Sequence, residues 1–369
     1  MGEDVTPSVN PTARFEGSWE GELIQDRLAG VIKLGDVLWE GQAKEASASK
    51  LAQLMLERPR GERIEFGCTV YGAGKTDRRF GRLGMETKGL LKEQRTGPVR
   101  LVTGEQGGLT PAAVAKAKLT TKGFDFVVVV QGERAWIGMT THVQNADAWS
   151  LRDYGRPFRD AKTGMLPPKL ARLMVNLAIG GACPSEKETI GLLDPFCGGG
   201  TVLMEAAMLC PQSFIAGSDL EAEQVAGSEK NLDWLTAQKI VSPEANVQLM
   251  QSAAENLDQE LEPGSVLHIV TEGFLGEPVH GREPGPVLEQ RRTDVEKIWK
   301  LALPVLAKIQ KTGGHLIMVW PEWVGAKEAL RVDLTNDVLK LGYRSLFSPL
   351  GYARPDQKVK RWIVGFERL

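Results

Sequence analysis

Residues 190–219 read IGLLDPFCGGGTVLMEAAMLCPQSFIAGSD, and the order of residue types in this stretch decides the fold class. A short apolar run ends in Asp194, a turn with three consecutive glycines follows, a largely apolar segment comes next, and a second short run ends in Asp219. Runs of this length suit strands buried on both faces. The segment between them suits the crossover helix that a parallel strand pair requires. The alternation continues downstream, with a helix expected from about Glu221 to Leu235, strands near residues 247–251, 266–272 and 315–320, and helices at roughly 287–309 and 326–341. Strands and helices in this order predict a doubly wound, Rossmann-like α/β sheet. Two last strands, near 344–347 and 361–366 with the turn-rich GYARPDQK between them, predict a terminal antiparallel hairpin.

Upstream of Ile190 the pattern changes. Residues 62–70 alternate like a strand, 85–94 (METKGLLKEQ) read as a helix, and 124–131 (FDFVVVVQ) and 135–139 read as further strands. This mixture is α+β. Residues 152–168 (RDYGRPFRDAKTGMLPP) are rich in Gly, Pro and charge and read as a linker, followed by a helix over 169–178 with Leu170, Leu173, Met174 and Leu177 on one face. The expected organisation is an α+β region over 1–151, a linker over 152–168 and an α/β domain over 169–369.

Composition sets the class. The chain of 369 residues has 42% hydrophobic and 25% charged residues, as expected for two or three domains each with its own core. It shows no apolar run near the ~20 residues of a membrane span and no signal-peptide core, so a cytoplasmic protein without membrane contact is expected. Cys68, Cys183, Cys197 and Cys210 lack metal-type spacing and are expected as reduced thiols; the four histidines are far apart, and no metal site is expected. A net charge of −2 argues against coating nucleic acid by bulk charge but permits a local basic patch.

Ligands of open α/β sheets bind outside the carboxyl ends of the strands, where the Asp194–Thr201 turn falls. Its glycines let the main chain bend tightly and approach a ligand closely. Asp219 lies 21 residues after Gly198, a spacing that suits a carboxylate accepting hydrogen bonds from ribose hydroxyls. Together they describe a nucleoside site. The bland alternative is a plain strand-to-helix turn, with Asp219 capping the next helix.

DPFCGGGTVLMEAA followed by GSDLEAEQVAGSEKNL resembles the first two S-adenosylmethionine (SAM) motifs of the RNA methyltransferases that carry an N-terminal THUMP-type domain, particularly the tRNA guanine-N2 methyltransferases acting at position ten. Other segments resemble that family too: RLAGVIKLG near Arg27, AAVAKAKL near Ala112, IGMTTHVQNADAWSLRDYGRPF from Ile137, TGMLPPKLARLMVNLA from Thr163, and the terminal YARPDQKVKRWIVGF. The resemblance implies SAM as cofactor, a THUMP-like region that grips structured RNA, with tRNA as the expected partner, and a cofactor site formed by Asp194, Pro195, Phe196, Cys197, Gly198, Gly200, Thr201, Asp219 and Leu220. Ser252 and Ala253 stand where the family usually has an acidic residue for the adenine amine. A small activator subunit is left open.

The family's fourth motif is an Asp-Pro-Pro-aromatic turn, and this chain has TEGFLG at 271–276 instead. Glu272 falls at the acidic position, and an aromatic, Phe274, comes one position early. Methylation of an exocyclic amine needs an acceptor that orients the nucleophile and stabilises charge as it develops, and a surface on which an extruded base stacks. Glu272 and Phe274 are the candidates for these two roles. Alternatively, Glu272 caps a turn and Phe274 fills the core. The altered order leaves three functions in view: guanine-N2 methylation of tRNA, adenine-N6 methylation of RNA or DNA, and a non-catalytic protein that binds SAM and RNA.

The basic residues Lys75, Arg78, Arg79 and Arg82 are candidate phosphate contacts, and Lys116 and Lys118 are expected to extend that patch. GAGKT at 72–76 lacks the earlier glycine of a phosphate loop, since Thr69 stands there. Cys197, beside the glycines, is expected to be structural rather than a nucleophile.

Overall fold

The computed structural model describes residues 6–7, 12–14, 17, 21–73, 78–94, 97–104, 108–159, 165–184, 189–242, 245–326, 328–354 and 357–369. They form two compact units, Met1–Ala148 and Trp149–Leu369.

In the first unit, β1 (Thr6–Pro7) and β2 (Ala13–Arg14) make a small antiparallel pair, and α1 (Gly21–Arg27) follows. The main sheet contains β3 (Lys33–Gln42), β4 (Ile64–Tyr71), β5 (Val99–Leu101), β6 (Phe124–Gln131) and β7 (Arg134–Val143) in the order β3-β7-β6-β4-β5. Only the β4 pairings with β5 and β6 are parallel. The helices α2 (Ala48–Leu56) and α3 (Arg78–Gln94) bury Leu51, Met55, Leu83 and Leu91 against Phe66, Phe124, Phe126 and Ile137. On the other face, α4 (Pro111–Lys116) and the segments flanking it bury Leu109, Val114 and Leu119. Gly67 lies on this face, because a Cβ there would come 2.1 Å from Leu109 Cδ1. Sequence patterning gives no sign of β3. As an edge strand with no fully buried residue, it lacks the alternation that marks a half-buried strand.

The second unit begins with α5 (Ala146–Tyr154), which spans the boundary, and α6 (Pro168–Ile179). Its nine-stranded sheet contains β8 (Ile190–Asp194), β9 (Ile215–Asp219), β10 (Val247–Gln251), β11 (Val266–Thr271), β12 (His315–Val324), β13 (Ala329–Arg331), β14 (Tyr343–Ser345), β15 (Leu350–Tyr352) and β16 (Val359–Arg368). The order is β10-β9-β8-β11-β12-β16-β14, with β13 beside β12 and β15 beside β16. The first five strands are parallel, and β16 runs antiparallel to both β12 and β14. The terminal hairpin predicted from sequence is therefore present on a Rossmann-like α/β sheet. Helices α6, α7 (Thr201–Leu209) and α8 (Ala222–Ala237) cover one face, with Met174, Leu203 and Leu235 against Leu192, Ile215 and Val319. Helices α9 (Gly285–Ile309) and α10 (Thr335–Lys340) cover the other, with Trp299, Leu303 and Val338 against Leu193, Ile269 and Met318. Successive residues of each strand thus feed opposite cores.

Three expectations need correction. The helix expected over 326–341 is mostly β13 and loop; the Asp333 carboxylate accepts from the Thr335 N–H and hydroxyl and starts α10 only there. Cys183 and Cys210 are joined in a disulfide rather than standing as free thiols. The pairing spans 27 residues, since the ends of the packed helices α6 and α7 bring them together. The described part of the segment read as a linker belongs to the second unit, and two of its arginines are buried rather than solvated: Arg152 Nε donates to Glu205 Oε1 at 2.8 Å, and Arg156 Nη1 donates to the Thr201 hydroxyl at 2.6 Å.

Candidate active site

The parallel strands end in register, so that Gln251 lies opposite Asp219, Asp194 opposite Gly217, and Thr271 opposite Met318. Asp194, Asp219, Ser252 and Glu272 thereby share the carboxyl edge of one sheet. This is where such sheets receive ligands.

The glycine turn is held from all sides by its main chain. Cys197 N–H donates to Ser218 O at 2.8 Å, Gly198 N–H to Asp219 Oδ2 at 2.9 Å, and Gly200 N–H to Cys197 O at 2.8 Å. From α8, the Ser228 hydroxyl donates to Gly198 O at 2.6 Å and the Asn231 amide to Gly199 O at 2.8 Å. Gly198 and Gly200 have φ of +50° and +76°, and a Cβ on Gly200 would come 2.8 Å from Ser228 Oγ. Glycine is required there both by conformation and by space.

Asp219 uses Oδ2 on Gly198 N–H and Oδ1 on Glu221 N–H, at 2.9 and 3.0 Å. Each carboxylate oxygen has a second lone pair, so the group that fixes the turn keeps acceptor capacity toward a ligand. Asp194 is fully buried. Burial pushes its carboxyl up to about 7, the Phe196 N–H donating to Oδ1 at 3.2 Å opposes the rise, and the nearby Asp219 and Glu272 add to it. A buried carboxyl held between two others is complementary to a cation. Leu220, 64% exposed, stands at the end of β9 as an apolar surface. Ser252 N–H donates to Asp219 O at 3.1 Å, which places Ser252 and Ala253 beside that carboxylate. A left-handed glycine turn, an acidic floor and an exposed aliphatic side chain fit SAM, whose methionine end is cationic and whose nucleoside has two hydroxyls. Cys197 is buried, and burial pushes its thiol up, out of reach of a thiolate nucleophile.

The sequence reading missed a strap over this turn. Phe158 packs on the glycine turn and α8, where a Cβ on Gly199 or Gly227 would come 3.2 or 2.3 Å from its ring. Ser228, Asn231 and Leu235, three and four residues apart, share the buried stripe of α8. Two polar residues on a buried helical stripe are the signal that could have found them.

At the end of β11, Glu272 does not face open space. Arg361 donates from Nε to its Oε1 at 2.5 Å and from Nη2 to its Oε2 at 3.3 Å. Gly273 lies under Trp299, where a Cβ would come 2.4 Å from the ring, and Trp323 Nε1 donates to Leu275 O at 2.9 Å. Trp299 also meets Phe196 at 5.1 Å between ring centroids, so one indole touches both the glycine turn and the TEGFLG turn. Phe274 is 45% exposed and does not fill the core.

In the first unit, Arg82 is exposed on α3, and Lys116 and Lys118 are exposed at the end of α4. Since α3 and α4 cover opposite faces of the sheet, the lysines do not extend the α3 patch. Lys75 and the side chains of Arg78 and Arg79 lie outside the described residues.

Residues 156–272 match the family model UPF0020, the RMKL-like methyltransferase domain. This segment, about a third of the chain, is similar to that domain. Its matched span starts at Arg156 of the strap and stops at Glu272, and its fold is that of SAM-dependent methyltransferases. Curated relatives named tRNA (guanine(10)-N2)-dimethyltransferase include that of Methanocaldococcus jannaschii, 29% identical over 173 residues, 47% of this chain and 40% of the relative. That of Pyrococcus abyssi is 30% identical over 129 residues, 35% of each chain. The aligned parts thus span less than half of these relatives' length. Among solved structures, TrmN from Thermus thermophilus superposes with a TM-score of 0.56 at 17% identity, covering 97% of this chain and 89% of that one. A possible methylase from Clostridium difficile 630 gives 0.54 at 13%, covering 98% and 91%. At these identities the two structures speak for the fold alone. Among the described residues no helix is long and apolar enough to cross a membrane.

Proposed function

We propose that the protein methylates the exocyclic N2 amine of a guanine in tRNA, with SAM as donor. The observation that carries the reading is Asp219, which braces the glycine turn through Gly198 while keeping acceptor capacity for a ribose, at the carboxyl edge shared by Asp194 and the TEGFLG turn. The names of the curated relatives supply the substrate class.

Bound SAM would supply an electrophilic methyl group. The amine nitrogen would take that methyl group as the C–S bond gave its electron pair to sulfur, and the amine would release a proton to solvent. Asp194, Gly198, Gly200 and Asp219 hold the cofactor, Leu220, Ser252 and Ala253 border its base, and Phe274 stacks on the extruded guanine. In this reading residues 1–151 act as a THUMP-like RNA-binding region and the rest carries the chemistry.

One observation favours a second reading. Glu272 is committed to Arg361, as it would be in a protein that binds SAM and RNA without transferring methyl. Labelled-methyl transfer onto bulk tRNA, followed by nucleoside mass spectrometry, separates the two and distinguishes guanine from adenine.

A further inference from the structure

We infer that Arg361 is a positioning residue for methyl transfer, acting through Glu272 to hold the turn that presents Phe274. The inference rests on the methyltransferase reading above. It assigns Glu272 a geometric role rather than the stabilisation of charge on the amine.

The strand β11 stops at Thr271, paired with Met318, while β12 runs on to Val324 against β16. The β12–β16 ribbon therefore projects past the end of β11. Arg361 lies on that projecting part, opposite Pro321 on one side and Tyr352 on the other. Its guanidinium crosses the width of β12 to reach Glu272. Both side chains are nearly excluded from water, at 5% and 9% exposure. Neither oxygen of the carboxylate is left without a guanidinium N–H. An amine acquiring positive charge beside this pair meets a neutralised group, not a bare carboxylate.

The pair also completes a three-point hold. Glu272 is fixed by Arg361, Gly273 by the Trp299 ring, and Leu275 by the Trp323 indole N–H. Phe274, between them, is the residue of this run left exposed. The terminal hairpin that departs from a plain dinucleotide fold is thus the source of one of the three fixed points.

The test compares the full chain with Arg361→Gln, Arg361→Lys, Glu272→Gln and the Glu272→Gln/Arg361→Gln double variant. The measurements are single-turnover methylation of tRNA, calorimetry with S-adenosylhomocysteine (SAH), and hydrogen exchange of the 272–276 amides. Arg361→Gln leaves a buried carboxylate alone, so the rate should fall by roughly tenfold or more and the turn should lose protection, while SAH affinity changes by less than about threefold. Arg361→Lys should retain more of the rate than Arg361→Gln. The double variant should recover most of the loss, because two amides can still bond and no lone charge remains. Where Arg361→Gln does not fold, Arg361→Lys and the double variant carry the comparison. A double variant as slow as Glu272→Gln with its turn protection restored would overturn the inference, since the charge itself would then be at work; so would an unchanged rate in Arg361→Gln. If the parent binds SAH but transfers no methyl group, the function reading fails. Hydrogen exchange still decides whether Arg361 holds the turn.

Discussion

Asn231 spends its whole side-chain amide on the strap over the glycine turn. It accepts from Phe158 N–H at 2.9 Å, donates to Phe158 O at 3.0 Å, and donates again to Gly199 O at 2.8 Å. One buried residue of α8 thereby ties the segment before the sheet to the loop that would hold the cofactor. Asn231→Ala would strand three polar main-chain groups. It should cost about 2–4 kcal/mol of stability and weaken SAH binding. Thermal melts and calorimetry check this; an unchanged melting temperature and affinity would show that the strap is not held by Asn231.

The buried carboxyl of Asp194 predicts a pH dependence with a definite sign. Its ordinary value is 3.8, and burial pushes it up to about 7. Between these values the unfolded chain has lost the proton and the folded chain keeps it, so stability falls as pH rises through this window and levels off above it. The α-ammonium group that SAH shares with SAM prefers the carboxylate, so affinity for SAH should rise with pH from about 5.5 to 7.5. Asp194→Asn should abolish both slopes. Calorimetry and denaturation across that range measure them, and a parent whose affinity is flat would place the methionine end elsewhere.

Replacing Asp219 separates its two tasks. Asp219→Asn keeps one acceptor oxygen for the turn but removes the charge, and SAH affinity should drop roughly ten- to a hundredfold, the equivalent of about 1.5–3 kcal/mol. Calorimetry reads the change directly; equal affinity would remove Asp219 from the ribose site.

For Phe274→Ala, loss of base stacking worth about 1–3 kcal/mol should lower methyl transfer while leaving SAH binding nearly unchanged. Steady-state kinetics with tRNA would show the effect in kcat/KM, and a variant as fast as the parent would leave the exposed ring without a role in the reaction.

The opposite-face placement of α3 and α4 gives a prediction for RNA. If the α3 face meets phosphates, Arg82→Ala should flatten the salt dependence of tRNA binding by a slope of about 1, whereas Lys116→Ala with Lys118→Ala should leave it as in the parent. Filter binding over a salt series decides; the reverse pattern would move the RNA to the α4 face.

How much of this was legible in the sequence follows from where each signal resides. The strands β8 and β9 could be read because they are buried on both faces, so nearly every residue is apolar or small. The glycine turn and Asp219 could be read because a fixed spacing carries them. The edge strand β3 could not, and the stretch after β12 looked helical because its break rests on one local Asp333 contact. The contacts that shape the site join residues far apart: Asn231 to Phe158 across 73 positions, and Arg361 to Glu272 across 89. Nothing local marks such partners. The Glu272 position was legible as a candidate, but its commitment to Arg361 was not, because it depends on β16 lying beside β12. The Cys183–Cys210 pairing depends in the same way on α6 packing against α7.

The central claim is that this carboxyl edge transfers a methyl group to a guanine amine in RNA. Single-turnover incubation of the parent protein with methyl-labelled SAM and unmodified tRNA, followed by nucleoside mass spectrometry, tests it most directly. The account predicts label in N2-methylguanosine, lost when Asp219 is replaced by alanine. Label in an adenine derivative, or no label on any tRNA while SAM and tRNA both bind, would contradict it.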